Sequence, residues 1–432
     1  MNRKILLSSL IGSAIEWFDY FLYGTLAALI FSKQFFPSHD PMAGTLLAYL
    51  TFSLTFIVRP FGGIVFAHIG DRLGRKTALV ATLSMMGVGT AMIGLLPTYD
   101  SIGVAAPILL VLLRIVQGIG IGGEWGGALL LAYENAPESR KGLFGSIPQV
   151  GVTIGMLLST LCVSLVSLLP DEAFQSWGWR LPFALAGVTV VVGLWLRRAI
   201  GETPEFAASR EEQKEEVLPV VQTVRDHWRE VLIAICAKSV ETAPFYIFTV
   251  LLISYATGIL GMSRLVALNA VTIGAVVASL MIPLAGALSD RIGRRATYVT
   301  GCIALALFAW PYFQMLDRRT ALSLIVATII GFGLIWPLVT AVLGTLMSDL
   351  FPAEVRFTGI TLGYQIGAAL VGGTAPMIAT WILASDGGNW RFIALYIVLS
   401  AVISLAAVLR CSLPAIGNGH GSAVRHPVTN EN

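Results

Sequence analysis

Apolar residues run through this chain in long blocks, broken at intervals by short clusters of charge, glycine and proline. About 20 apolar residues in a helix cross the hydrocarbon core of a bilayer, and charged or Gly/Pro punctuation ends such a segment. On that rule twelve spans are predicted, at residues 9–32, 44–68, 77–96, 104–133, 143–169, 180–199, 230–257, 265–288, 296–315, 320–347, 357–383 and 391–410. An even number puts both termini on one side. Loops on that side hold nineteen of the 28 Lys and Arg, from Arg3 and Lys4 to Arg410 and Arg425. Loops on the other side hold only Lys33, Arg180, Arg264, Arg318, Arg319 and Arg391. By the positive-inside rule the termini are cytoplasmic and the chain is a multi-pass protein of the cell inner (plasma) membrane.

Composition agrees. The 432 residues are 56% hydrophobic and 12% charged, whereas a typical soluble domain is about a quarter charged. The fold class is therefore all-α integral membrane. A net charge of +3 spread over short loops argues against a nucleic-acid partner. Cys162, Cys236, Cys302 and Cys411 have no CxxC or metal-like spacing, so no disulfide, metal or cofactor is expected. The first apolar run continues through a full span without a small-residue cleavage site and reads as a retained helix. Neither HExxH nor GxSxG occurs, so an enzyme is not expected.

The chain also repeats itself. "GDRLGRK" at 70–76 recurs as "SDRIGRR" at 289–295, an offset of 219 residues from Asp71 to Asp290. "PESRKGLFGSIPQVG" echoes "PAEVRFTGITLGYQIG", 216 residues on from Arg140 to Arg356, and "GWRLPF" echoes "NWRFIAL". Three echoes in the same order imply two pseudo-symmetric six-helix halves, at 1–200 and 230–411. A charged linker at 201–229 joins them and a cytoplasmic tail follows at 412–432.

Four carboxylates and three cations fall inside predicted spans: Glu16, Asp19, Glu124 and Glu241 against Arg59, Arg114 and Lys238. Such residues are costly in a membrane and face the bundle interior. Glu16, Asp19, Tyr20 and Tyr23 follow i, i+3, i+4, i+7 spacing and share one stripe of span 1. Arg114, Gln117 and Glu124 share a face of span 4. Lys238 and Glu241, three apart in span 7, either neutralise each other or leave Lys238 free to meet an anionic solute. Arg59, beside Pro60, is expected to snorkel or to staple a gate. Trp177, Trp179 and Trp390 sit at span ends as interfacial anchors.

Two six-span halves, carrying "AHIGDRLGRK" and "GALSDRIGRR" between their second and third spans, resemble the major facilitator superfamily, although Ala67 stands where the first copy should carry glycine. "EWFDYFLYG", "RPFGGIVFAHIGDRLGRK", "RIVQGIGIGGEWGGALL" and "SWGWRLPF" are similar to the metabolite:proton symporter family within it. The resemblance implies a proton-coupled importer of a small organic acid, shikimate-like among the carboxylates, acting by alternating access as a monomer. Uptake of a zwitterion such as betaine or proline is the alternative, and a transport-inactive membrane sensor is the alternative of another class. It further implies that Arg114 faces an acid of span 1. Asp19 is then the first choice for the proton carrier and Glu16 the second, a static structural pair being the competing reading. Solute contacts are expected from Tyr20, Tyr23, Gln117, Glu124, Trp125, Lys238, Glu241, Tyr246, Trp336, Tyr364 and Gln365. A cytoplasmic gate is expected from Asp71, Arg72, Arg75, Arg140, Asp290, Arg291, Arg294 and Arg356, with a pure topology signal as the alternative.

Overall fold

The computed structural model describes residues 3–38, 40–73, 75–122, 129, 133, 136–187, 219–352 and 355–410. Side chains are described for these except 3–9, 11, 12, 16, 67–73, 75–79, 219 and 357. Among the described residues every regular element is a helix. Helices satisfy all their backbone groups internally, which a bilayer requires.

Nine described helices are long and apolar enough to cross a membrane, and they correspond to spans 1, 2, 5 and 7–12. Span 3 is the helix Arg75–Leu95, with its apolar stretch at Val80–Leu95, and span 4 is described as the helix Ala105–Ile121. Span 6 is helical through residue 187, where the description stops. The observed helices Arg75–Leu95, Arg294–Leu316 and Arg391–Arg410 start and stop within two residues of the predicted limits. Large apolar side chains such as Leu307, Leu280 and Phe61 point outward and stay exposed, as a surface facing lipid requires.

The duplication is written into the backbone. Span 1 widens into a π-helical turn at Ala27–Phe31, and span 7 does the same at Ile247–Leu251, 220 residues later. Two more π-turns, Ile329–Ile335 and Ala368–Gly372, interrupt spans 10 and 11.

Span 5 packs along span 8 and span 1, and span 2 packs along spans 4 and 11. The glycines of span 4 allow the second contact. A methyl group on Gly118 would meet the Thr55 carbonyl at 2.5 Å, and one on Gly122 would strike the Arg59 carbonyl and Gly63 nitrogen. Close backbone approach through small residues is how membrane helices gain contact when lipid offers no hydrophobic drive. Trp179, predicted at the interface, is instead fully buried among Phe31, Phe35 and Phe183. The cation of Arg180 covers it, 4.4 Å from its ring, so its span end packs inward.

The halves are bridged at both ends of the bundle. At the end bearing the N-terminus, Asp290 accepts from the Gly142 and Leu143 amides, 2.7 and 3.0 Å away. Those are the first free N–H groups of the helix Lys141–Val166, a natural seat for a carboxylate. Beside it Arg294 pairs with Asp349, which also accepts from Tyr133 at 2.7 Å. At the opposite end Arg264 reaches Asp171 at 2.5 Å and the Ser167 carbonyl at 3.0 Å. Tyr49 donates to the Val250 carbonyl at 3.1 Å, or to Ser254 at 3.0 Å.

Candidate functional site

Two clusters of buried polar groups face one another across the bundle. The first joins spans 1, 3 and 4. Asp19 is 1% exposed; its Oδ2 accepts from the Thr90 hydroxyl at 3.3 Å and its Oδ1 has no partner. Thr90 Oγ1 also accepts from Gln117 Nε2 at 2.6 Å and lies 2.9 Å from the Met86 carbonyl. Gln117 Oε1 in turn accepts from Arg114 Nη1 at 2.9 Å. A chain of hydrogen bonds thus runs from the guanidinium to the carboxylate through two neutral side chains.

The expectation that Arg114 faces an acid of span 1 is not met at Asp19, and the side chain of the other acid, Glu16, lies outside the described residues. Among the described residues no ion pair joins Arg114 and Asp19. The guanidinium lies over Tyr23, 4.1 Å from its centroid, with Tyr20 at 5.4 Å and Phe52 at 5.7 Å. Aromatic faces attract a desolvated cation, and these rings surround the Arg114 guanidinium. The side chains of Glu16, Glu124 and Trp125 lie outside the described residues.

The second cluster lies between the halves. Lys238 pairs with Glu241, and its ammonium stands 3.6 Å from the Tyr364 ring centroid. Glu241 is well served: Oε2 also accepts from Thr242 at 2.8 Å and Oε1 from Thr340 at 3.2 Å, while its backbone carbonyl accepts from Trp336 Nε1 at 2.6 Å. Gln149, from the other half, donates to Thr340 at 3.2 Å. Of the two readings of span 7, mutual neutralisation is what this geometry displays. Both charges are buried, and pairing with further hydrogen bonds is what makes such burial tolerable.

A cavity of about 20 Å³ opens beside this pair, lined by Trp17, Phe56, Arg59, Lys238, Glu241, Phe245, Tyr246, Trp336 and Tyr364 among others. That is room for roughly one water, and none for an organic solute. Of the expected solute contacts, Lys238, Glu241, Tyr246, Trp336 and Tyr364 meet there. Tyr20, Tyr23 and Gln117 belong to the first cluster. Gln365 ties span 11 to span 4 through the Gly122 carbonyl at 3.3 Å.

Arg59 departs from the first of its two sequence readings, snorkelling. It does not snorkel: it is 1% exposed and stacks over Phe56 at 4.1 Å, Tyr20 at 4.5 Å and Trp17 at 5.6 Å. Spacing carried a signal, since Phe52, Phe56, Arg59 and Gly63 follow i, i+4, i+7, i+11 and share a face. Thr90, an ordinary residue in an apolar run, gave none. Asp349 was likewise missed at the gate. Of the expected gate residues, Asp290 and Arg294 bridge elements as described above. Arg356 donates to the Phe351 carbonyl at 3.2 Å, while Arg140 and Arg291 are exposed. The side chains of Asp71, Arg72 and Arg75 lie outside the described residues.

The family model described as Major Facilitator Superfamily matches residues 9–363 and 240–423. The chain is similar to a shikimate transporter of Escherichia coli (strain K12), 39% identical over 410 residues that cover 94% of each protein. It is 39% identical to the inner membrane metabolite transport protein YhjE of the same organism, over 414 residues covering 94% of this chain and 93% of that one. A proline/betaine transporter, also of Escherichia coli (strain K12), is 34% identical over 416 residues, 93% of this chain and 82% of the relative. Among solved structures, the partially occluded inward-open xylose transporter XylE from E. coli superposes with a TM-score of 0.71 at 20% identity, covering 94% of this chain and 95% of that one. At that identity the likeness establishes the fold alone.

Proposed function

Because the chain belongs to the major facilitator superfamily, we propose that it is a proton-coupled secondary transporter that imports a small organic acid by alternating access. The observation that carries the proton half of this reading is Asp19: buried, without an ion pair among the described residues, and with one carboxylate oxygen lacking any partner. A carboxyl group so placed is neutralised most simply by a proton. The route from Asp19 through Thr90 and Gln117 to Arg114 then lets a shift of span 4 alter how firmly the proton is held.

The solute half rests on cation placement and on the named relatives. Arg59, which lines the cavity without an ion pair among the described residues, supplies counter-charge for a carboxylate, and a shikimate transporter is among the most similar proteins found. A zwitterion is the second reading, supported by the proline/betaine relative. Aromatic faces are what a quaternary ammonium would seek. Here those of Trp17, Tyr20 and Phe56 are already taken by Arg59, which favours the acid. In this reading the halves 1–200 and 230–411 rock against one another to expose the site alternately, as monomers with both termini in the cytoplasm. The contacts of Asp290 with the Gly142 and Leu143 amides and of Tyr133 with Asp349 close the cytoplasmic end.

The test is uptake into proteoliposomes of labelled shikimate, aromatic acids, dicarboxylates, citrate, betaine and proline, with and without an inward proton gradient. Gradient-driven accumulation of one acid is expected, abolished in Asp19→Asn while exchange of that acid survives. Accumulation of betaine or proline alone overturns the acid reading. Binding without translocation of any solute makes the chain a sensor.

A further inference from the structure

We infer that Arg59 is the carboxylate receptor of the solute site and that the site is built for a single negative charge; this rests on the organic-acid reading above. Arg59 Nε and Nη2 are both buried without a partner. These two nitrogens are not an arbitrary pair. They form one edge of the guanidinium, with parallel N–H bonds spaced to meet the two oxygens of a carboxylate side-on. An unsatisfied buried donor is costly and rare in native proteins, and two on one edge of a residue lining the central cavity point to an acceptor that comes and goes.

The surroundings prepare that edge. Rings of Trp17, Tyr20 and Phe56 hold the guanidinium plane, so little side-chain freedom remains to be lost on binding. The Arg59 carbonyl is pressed by Gly122 of span 4, so its backbone is fixed from behind. Nearby Lys238 is not the rival it looked in the sequence, because Glu241 neutralises it. Among the described lining residues this leaves one uncompensated charge, that of Arg59, and one uncompensated charge asks for one carboxylate. A second carboxylate on the solute would have to break the Lys238–Glu241 pair to find a partner. Phe56, Phe245, Tyr246 and Trp336 give the rest of the cavity apolar walls, suited to the face of a compact ring. The class is therefore a monocarboxylate on a small cyclic body.

The test compares an acid with its uncharged twin. Purified full-length protein in detergent is titrated with shikimate, its methyl ester and succinate, read by tryptophan fluorescence, since Trp17 lies 5.6 Å from the guanidinium. In the wild type the acid is expected to bind at least tenfold tighter than the ester and than the dicarboxylate. Losing a buried charge partner is worth roughly 30-fold or more, so Arg59→Gln should bring acid and ester level. An acid-over-ester ratio unchanged in Arg59→Gln overturns the assignment to Arg59 while leaving the acid reading intact. A wild type that prefers the ester, or binds neither, overturns both. If Arg59→Gln binds nothing, Arg59→Lys decides: it keeps the charge but not the two-pronged edge, so a ratio reduced about tenfold supports the receptor role and a wild-type ratio refutes it. Tighter binding of succinate than of shikimate refutes the single-charge site.

Discussion

The Thr90 hydroxyl lies 3.3 Å from the Asp19 carboxylate and 2.9 Å from the Met86 carbonyl, with one proton to give. It donates to Asp19 when that carboxyl is ionised. When Asp19 carries a proton, the same hydroxyl can turn to Met86 and accept from Asp19 instead. The cluster is thus hydrogen-bonded in both states. Thr90→Val, which removes the hydroxyl, should cut gradient-driven accumulation by about tenfold or more, the worth of a hydrogen bond to a charged group. Exchange across proteoliposomes should persist, and Thr90→Ser should restore accumulation. Equal loss of exchange would place Thr90 in packing only.

Lys238 and Glu241 are expected to behave as a unit. Breaking a buried pair leaves an uncompensated charge, at a cost of about 3–5 kcal/mol, whereas replacing both partners with uncharged groups is close to neutral. Lys238→Met and Glu241→Gln should each lower the thermal unfolding midpoint in detergent, and the double variant should recover most of the loss. Additive losses would show that the two charges are not coupled.

At the end bearing the N-terminus, Asp290→Ala deprives two amides of their acceptor. Hydrogen bonds to a charged group contribute about 1.5–3 kcal/mol in total effect, so that end should open roughly ten- to hundredfold more often. A single cysteine replacing the buried Ser146, with Cys162, Cys236, Cys302 and Cys411 changed to serine, should then react correspondingly faster with a water-soluble maleimide.

The opposite end should be less sensitive to its ion pair. Asp171 is 87% exposed, and such pairs contribute little. Asp171→Asn should change labelling at that end by less than about threefold, because Arg264 keeps its bond to the Ser167 carbonyl. A large increase would mean that solvent screens this pair less than its exposure implies.

Gly122→Ala tests the seat of Arg59. The added methyl meets the Arg59 carbonyl and the Gly63 nitrogen, both backbone and unable to yield. Overpacking of this kind costs about 1–3 kcal/mol. A lowered unfolding midpoint and a weakened preference for acid over ester are expected together.

Span limits were legible in the sequence because apolar length and charged punctuation are local properties, and the duplication because Asp71 and Asp290 head near-identical strings. The site was legible only in part. Spacing put Lys238 beside Glu241, and a buried charge needs a partner, so one of the two readings was the observed pair. Spacing could not say where Arg59 goes, since snorkelling and burial differ only in what neighbouring helices offer, here three aromatic rings from spans 1 and 2. Nor could it interpose Gln117 and Thr90 between Arg114 and Asp19, a matter of how span 3 docks. Polar residues that close a network look unremarkable until the helices carrying them are assembled.

The small cavity between bridged ends has a kinetic meaning. A carrier able to shut only around its cargo is confined to swapping one solute for another. A carrier that shuts with nothing larger than a water beside Arg59 can reset unloaded, and its return stroke waits for no second passenger. In the proposed reading, the narrow space between Arg59 and Trp336 is the geometry that such an unloaded return would use.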